Sequence, residues 1–416
     1  MPIKRKNILL VTPFTVLPGE KGFHRLTYIA EKLGRRGHQV TLVTSSFQHY
    51  DKAFRDKTDV ASRSLEIPYN IVLLDELGYT KNIGLDRIRS HRHLSKQLHQ
   101  YLENLKEKPD VIYCTYPPMD ATSVVGKYAN RNEIPFIIDV IDIWPESIKN
   151  VFPLPDKMVD AILYPLTVYA NNIYNMADYV VAVSQSYVDR VEKVNKQARS
   201  YAPIFLGADL GFFDQCKQHT VKKDPNEFWI TYIGMLGHSY DIETVIRSVA
   251  LLKKEDMNNI VFKVAGTGPL QEKFEDLAKK LDAPVHFTGH LTYEEMVPIL
   301  AQSDIAANAI VKGAQQSITN KIGDFVSAGL PILNSSLNEE FIEIVKNYKI
   351  GFNYSPGDYR HLAELIKFMY GDEKLRDEMG NNSRKLAEER FDRRNTYNEI
   401  YQMIEEATVK ESYSVV

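Results

Sequence analysis

Short runs of β-branched and aromatic residues recur along the chain at the spacing of strand–helix units, and this alternation is what most restricts the fold. NILLVTPF, QVTLVTS, YNIVLLD, DVIYCTY, PFIIDVID and YVVAVS are each followed by a stretch of helical periodicity. The pattern pauses through the polar stretch QCKQHTVKKDPNE and then begins afresh with FWITYIG, IVFKVAG, PVHFTG, DIAANAI, LPILNSS and IGFNYS. Strands separated by helices in this way form parallel sheets covered on both faces. The expectation is therefore an α/β chain of two Rossmann-like units, a first domain over 1–205 and a second over 206–391, with a linker near 206–227. From about Asp392 a further helix carries Tyr397, Ile400, Tyr401 and Ile404 at helical spacing, and it could pack back on the first domain.

Two domains also suit 416 residues, because a single hydrophobic core stops growing at a smaller size. The two cysteines, Cys114 and Cys216, have neither paired nor metal-ligand spacing, so a reducing compartment is the simpler reading. The apolar run after Lys4, Arg5 and Lys6 is short and contains a proline, which reads as a first strand and not as a signal peptide. No window approaches the length of a membrane span. A net charge of -3 conceals an asymmetry, since residues 1–205 hold 27 Lys+Arg against 22 Asp+Glu and the remainder 24 against 32. A basic first half suits either an ordinary solvated face or contact with anionic lipid headgroups or a phosphorylated acceptor. Nucleic-acid binding finds no support, as the balance is acidic and no recognition module is present.

In open parallel sheets ligands bind beyond the carboxyl ends of the strands, so the loops there carry the chemistry. In QQSITNKIGDFVSAGLPILNSS, Ser317 and Thr319 are placed to cap a helix starting near Asn320, whose free N–H groups and dipole would hold a diphosphate. Lys321 stands in the first turn, where a cation disfavours a helix unless an anion is bound beside it. Asp324 follows one turn later, suited to accept from a ribose hydroxyl pair. A plain amphipathic helix with surface Lys and Asp is the alternative.

Here the chain resembles the family-4 retaining glycosyltransferases, particularly the branch that builds capsule, exopolysaccharide and O-antigen repeats. The resemblance implies a GT-B fold, two Rossmann-like domains facing each other across a cleft, and transfer of a sugar from a nucleotide diphosphate donor. In that family an E-x7-E run meets the donor sugar and ribose; the matching positions here are Gln316 and Asp324, both departures from Glu. Gln316 can hydrogen-bond a sugar hydroxyl but brings no negative charge. Thr319-Asn320-Lys321 looks like the branch's Ser/Pro-x-Lys element, and Ser317 and Ile318 lead into it. Gly234 and Gly237 match the family's first donor-domain loop, where backbone approaches the diphosphate, and Gly266 and Gly268 match its G-x-G-P loop beside the base. Either glycine pair could also be a structural turn.

In the first half, Gly19 and Gly22 resemble the family's loop on the acceptor side, and Arg25 in the following helical turn is either a phosphate ligand or an exposed arginine. The family's His-Asp pair falls on Ile141 and Asp142, and Asp142 with Trp144 and Glu146 matches the branch's D-x-W-P-E-S run. Asp142 either orients the acceptor and receives its proton, with Glu146 as competitor, or caps a helix over a packing Trp144. Around Pro165 the apolar helix is either core or an interfacial face for lipid-linked substrates. Lys321, Arg25 and Asp142 are thus the candidate catalytic residues. No cofactor and no metal is expected, since no Asp-x-Asp element is present. The expected partners are a nucleotide sugar, UDP foremost, and a glycan or lipid-diphosphate acceptor, in the cytoplasm or peripheral on the inner membrane face. A sugar-nucleotide epimerase on the same fold and a silent nucleotide-sugar-binding scaffold are the rival readings.

Overall fold

The computed structural model describes residues 4–20, 22–81, 84–151, 155–314 and 318–408. The chain divides into two compact units, one of residues 1–204 with 397–416 and the other of 205–396. The first unit holds strands β1 (Asn7–Val11), β2 (Gln39–Ser45), a short hairpin of β3 (Phe47–Gln48) and β4 (Ala53–Phe54), then β5 (Asn70–Leu74), β6 (Val111–Tyr116), β7 (Phe136–Val140), β8 (Tyr179–Ala182) and β9 (Ser200–Pro203). Its helices are α1 (Arg25–Arg35), α2 (Lys57–Arg63), α3 (Leu85–Glu103), α4 (Met119–Arg131), α5 (Asp156–Asn175) and α6 (Gln185–Glu192). The second unit runs through α7 (Leu210–Cys216), β10 (Phe228–Ile233), α8 (Ile242–Lys254), β11 (Ile260–Ala265), α9 (Gln271–Leu281), β12 (Val285–Gly289), α10 (Tyr293–Ala301) and β13 (Ile305–Asn308). It continues with α11 (Asn320–Ser327), β14 (Ile332–Asn334), α12 (Glu339–Asn347), β15 (Gly351–Asn353), α13 (Tyr359–Gly371), α14 (Glu373–Leu386) and α15 (Arg393–Thr396), after which α16 (Asn398–Glu406) returns to the first unit.

Each unit is built on one parallel sheet. The first has the order β5-β2-β1-β6-β7-β8-β9 and the second β12-β11-β10-β13-β14-β15. In both, the first strand pairs on one side with the second and on the other with a strand reached by crossing back: Leu9 pairs with Thr41 and Ile112, and Ile230 with Phe262 and Ile305. This reversal opens a crevice at the carboxyl ends between β1 and β6, and between β10 and β13. The strands read as continuous apolar runs because helices cover both faces; every residue of β6, β7 and β10 is buried. β9 carries no such run, and its Pro203 is tolerated because β9 is an edge strand.

The core of the first unit gathers Ile8, Leu10, Leu26, Ile29, Leu42 and Tyr113 with Tyr397, Ile400, Tyr401 and Ile404 from the C-terminal segment. Tyr28 of α1 meets Tyr397 edge-on at 5.8 Å, and the Arg36 guanidinium lies 4.3 Å from the Tyr401 ring centroid. Lys6 donates to the carbonyls of Ile404 and Ala407 at 3.1 and 3.2 Å, placing a cation at the negative end of α16. In the second unit, Phe228, Ile230, Tyr232, Val245, Ile260 and Phe262 fill one side of the sheet, and Ile318, Ile322, Phe325, Val326, Phe341 and Phe391 the other. The stretch expected as a linker contains α7, capped by the Asp209 side chain accepting from the Phe212 N–H at 3.1 Å.

Candidate active site

The crevice between β10 and β13 is framed by three segments of the second unit. The chain leaves β10 at Gly234, whose φ of 120° is one that only glycine adopts without strain. The loop after β11 presses against it. A Cβ on Gly266 would lie 1.8 Å from the Gly234 carbonyl oxygen, and one on Gly268 would lie 2.4 Å from the Leu236 carbonyl oxygen. Backbone bonds from Gly234 N–H to Ala265 O and from Leu236 N–H to Thr267 O lock the two loops together at 2.9 Å. Gly237 differs, because a Cβ there would make only ordinary contacts with Met235; its carbonyl accepts from Tyr240 N–H at 3.2 Å.

The third segment is the start of α11. Thr319 occupies the cap position in extended conformation, yet its hydroxyl makes no capping bond, contrary to the capping role expected for it. Gln316 and Ser317, the other expected contributors, lie outside the described residues. Ile318 is buried in the apolar cluster below, and Ile322 N–H bonds back to Thr319 O at 3.1 Å. Helix geometry leaves the N–H groups of Asn320 and Lys321 without an intrahelical acceptor, at the positive end of the helix dipole.

The Lys321 side chain is only 8% exposed. Its ammonium donates to the Tyr232 hydroxyl at 3.2 Å and lies 4.4 and 3.9 Å from the ring centroids of Tyr232 and Tyr240. It also stands beside Gly234, within 3.5 Å of where a Cβ would be. Burial pushes its pKa down to about 7, because neither the hydroxyl nor the two rings replace the lost hydration. One turn on, half-buried Asp324 accepts from the Tyr293 hydroxyl at 2.9 Å, and Tyr293 stacks on Phe212 with centroids 5.6 Å apart. Burial raises the Asp324 pKa to about 6, against the pull of the Tyr293 bond and the charge of Arg393. A cation and an anion on one helix face, each held short of its ordinary ionisation, form a site poised for a charged ligand. At the end of β13, the Asn308 side-chain amide donates to Asn334 Oδ1 at 2.8 Å, and Asn308 Oδ1 is buried without a partner among the described residues. Tyr232, Tyr240, Tyr293 and Asn308 were not anticipated from the sequence. Tyr232, two residues before Gly234, was the traceable one, since alternation along β10 turns it to the face that Lys321 reaches.

In the first unit, Asp142 follows β7 and is the centre of a local ring. It accepts from Trp144 Nε1 at 3.1 Å, from Tyr187 at 3.5 Å and from the Ser147 hydroxyl. Burial raises its pKa against these donors. Glu146 pairs with Arg190, and among the described residues Asp142 has no cationic partner in a salt bridge. Gly19 and Gly22 lie in the β1–α1 loop, both with positive φ, and Arg55 pins that loop by bonds to Glu20, Thr15 O and Ser45 O.

The reading of Arg25 as a phosphate ligand is corrected by its surroundings. The side chain is 1% exposed, and its guanidinium binds Asp139 at 2.8 Å, the Tyr397 hydroxyl at 3.2 Å and the Ile204 carbonyl. It fastens α1 to β7 and to the C-terminal segment, a structural task within the first unit. Among the described residues no group of three or more His, Cys, Asp or Glu side chains could hold a metal ion, and no helix is long and apolar enough to cross a membrane.

Two family models match this chain in succession, a glycosyl transferase 4-like domain over residues 24–204 and glycosyl transferases group 1 over 215–386. Between them they take in both sheets except β1, together with Gly234, Gly266, Gly268 and α11 of the second unit. The chain's fold is GT-B, and both matching models are of glycosyltransferases. A curated relative, an uncharacterised glycosyltransferase of Methanocaldococcus jannaschii (MJ1069), is 21% identical over 236 residues, 56% of this chain and 59% of its own length. The chain thus spans under two thirds of that relative. Among solved structures, Anabaena HepE in complex with UDP shares the fold at a TM-score of 0.67 and 16% identity, with 95% of this chain and 99% of that one covered. WaaG, a glycosyltransferase involved in lipopolysaccharide biosynthesis, does so at 0.62 and 14%, again over 95% and 99%.

Proposed function

We propose that this glycosyltransferase moves a hexose or N-acetylhexosamine, with retention, from a UDP sugar to a glycan or lipid-linked acceptor during synthesis of a cell-surface polysaccharide. The observation that carries the reading is the Lys321 ammonium. It is desolvated, held by Tyr232 and Tyr240 beside Gly234, and set at the N-terminal turn of α11 in the β10–β13 crevice. Among the described residues this cation has no carboxylate in a salt bridge with it, and a diphosphate would supply the counterion.

In this reading the diphosphate lies on the N–H groups of Asn320 and Lys321, with the Lys321 ammonium neutralising the charge that builds as the glycosidic bond to the β-phosphate breaks. The glycines at 234, 266 and 268 let backbone approach the nucleotide, and Asp324 takes the ribose hydroxyls, with Tyr293 fixing its orientation. Asp142, whose pKa burial raises, is the first-unit carboxylate that orients the acceptor hydroxyl. Charge neutralisation falls to Lys321 and backbone amides, with no metal assigned. The complex of HepE with UDP supports the choice of nucleotide, and the role of WaaG in lipopolysaccharide synthesis supports the class of product. Exposed Met158, Ile162 and Tyr164 on α5 suit a peripheral position at a membrane bearing the acceptor.

Replacing Lys321 by Ala tests the assignment. Turnover of UDP-sugar, measured as UDP release with and without acceptor mixtures, should fall by about 100-fold or more. Turnover within a few-fold of the parent protein removes Lys321 from the site.

A further inference from the structure

The first unit carries a second cluster of cations, distinct from the nucleotide crevice, at the carboxyl ends of its own strands. Phe14 follows β1, His49 and Lys52 stand in the turn joining β3 and β4, Tyr79 follows β5, Arg87 opens α3 with His91 one turn later, and Trp144 follows β7. Chain segments far apart in sequence thus converge at the end of the sheet where open α/β folds bind ligands.

Arg87 is the centre of the cluster. Its guanidinium carbon lies 5.7 Å from the ring centroid of Phe14, 5.7 Å from that of Tyr79 and 5.5 Å from that of Trp144. Phe14 packs against two imidazoles, His49 at 4.7 Å and His91 at 5.4 Å. The Lys52 ammonium lies 4.9 Å from the Tyr79 centroid and donates to the His49 carbonyl, while His49 Nδ1 and the Tyr79 hydroxyl are 2.5 Å apart. Both imidazoles are held neutral, pushed to about 4 and about 3 by burial first and then by the charges of Lys52 and Arg87. Lys52 itself is lowered, by burial and then by Arg87. The carboxylate behind them, Glu76, is buried at 6% exposure and is held by the hydroxyls of Ser45 and Ser90.

Two cations set against the same Tyr79 ring, with the Lys52 ionisation lowered by burial and then by the charge of Arg87, are a costly way to build a half-buried wall. Stacking on an aromatic face returns only about 0.5–2 kcal/mol per cation, and apolar side chains of similar volume would pack there without repulsion. An anion resting on both cations offsets their repulsion, because guanidinium and ammonium then gain charge-assisted hydrogen bonds beside the aromatic wall.

We propose that Arg87 and Lys52 form an acceptor subsite that recognises a phosphate ester group on the acceptor, with the aromatic wall of Phe14, Tyr79 and Trp144 beside the sugar that bears it. The inference rests on the glycosyltransferase reading for the word acceptor, but the anion site stands on its own residues. Soluble sugar phosphate and a phosphate headgroup in a bilayer share this chemistry, and the test separates them.

The full chain, first saturated with UDP to fill the nucleotide crevice, is titrated calorimetrically with glucose 1-phosphate and with neutral methyl glucoside. In parallel it is sedimented with phosphatidylcholine vesicles with and without phosphatidylglycerol. The expected result is binding of the phosphate ester at least tenfold tighter than of the glucoside, lost at least tenfold in both Arg87→Met and Lys52→Asn. Arg87→Lys should recover part of it, and UDP affinity should be unchanged throughout. Dependence on both residues seen only with the anionic vesicles assigns the phosphate to a bilayer headgroup. Equal affinities for ester and glucoside, or variants that bind both probes as the parent does, overturn the proposal. Asparagine at position 52, where φ is +55°, keeps the turn intact should the Arg87 variant fail to fold. If UDP does not bind at all, the donor assignment at Lys321 fails, and the glucose 1-phosphate arm is read without nucleotide.

Discussion

Binding of UDP to this protein should be coupled to uptake of a proton at Lys321, and the size of the effect follows from the side chain's surroundings. With a pKa of about 7 in the empty site, only about one Lys321 in ten carries a charge at pH 8. A diphosphate beside it restores the ammonium; if the pKa returns near the ordinary 10.5, almost every copy is protonated. The uptake is then about 0.9 proton per UDP at pH 8, falling to about 0.1 at pH 6. By linkage, affinity should weaken about ninefold per pH unit between pH 8 and 9. A shift of that size corresponds to about 5 kcal/mol of interaction between ammonium and diphosphate. At pH 8 the terminal phosphate, with a second pKa of about 6, is already ionised, so it does not contribute. Asp324, at about 6, is ionised there as well. Calorimetric titration with UDP in buffers of different ionisation enthalpy measures the proton count directly. The reasoning fails if the enthalpy at pH 8 is independent of the buffer, or if Lys321→Met binds UDP and still takes up the proton.

Three further outcomes are expected. Asp324 is raised from 3.8 to about 6 on folding, so its contribution is fully present below pH 3.8 and is lost as pH rises through 6. Asp324→Asn should therefore stabilise the empty protein at pH 8 by up to about 3 kcal/mol, with no gain at pH 4, while weakening nucleotide binding; thermal melts at the two pH values decide it. Gly268→Ala forces a methyl against the Leu236 backbone and should cost about 1–3 kcal/mol in the second unit together with UDP binding, read by chemical denaturation and calorimetry. Arg25→Ala, which strands Asp139 in the core, should destabilise the first unit by about 3–5 kcal/mol and leave UDP affinity intact; an unaltered melt with abolished donor binding would instead return Arg25 to the catalytic role.

The α/β architecture was legible because parallel strands buried on both faces must be apolar throughout, and runs such as DVIYCTY and FWITYI carry that requirement in one dimension. β9 escaped notice because an edge strand buries less and its SYAP segment has no β-branched residue. Gly266 and Gly268 press against the backbone of the loop after β10, which is the structural-turn alternative that the sequence had left open beside a nucleotide contact. The cap at Thr319 was not legible, because a side chain's hydrogen bond depends on a rotamer that the sequence does not specify. Arg25 was misjudged for a related reason: position in a first helical turn gives no warning that Asp139, 114 residues away, will meet it inside the core.

The sequence alone determined the kind of fold and the run that opens α11, because hydrophobic periodicity and glycine placement act between near neighbours. Only the tertiary structure decided the ionisation of the site. Whether Lys321 is an ordinary surface cation or a lysine held near neutral pH depends on Tyr232 and Tyr240, brought to it across the sheet, and on the water they displace. Desolvation is a property of the assembled surroundings of a group, and no local stretch of sequence encodes it.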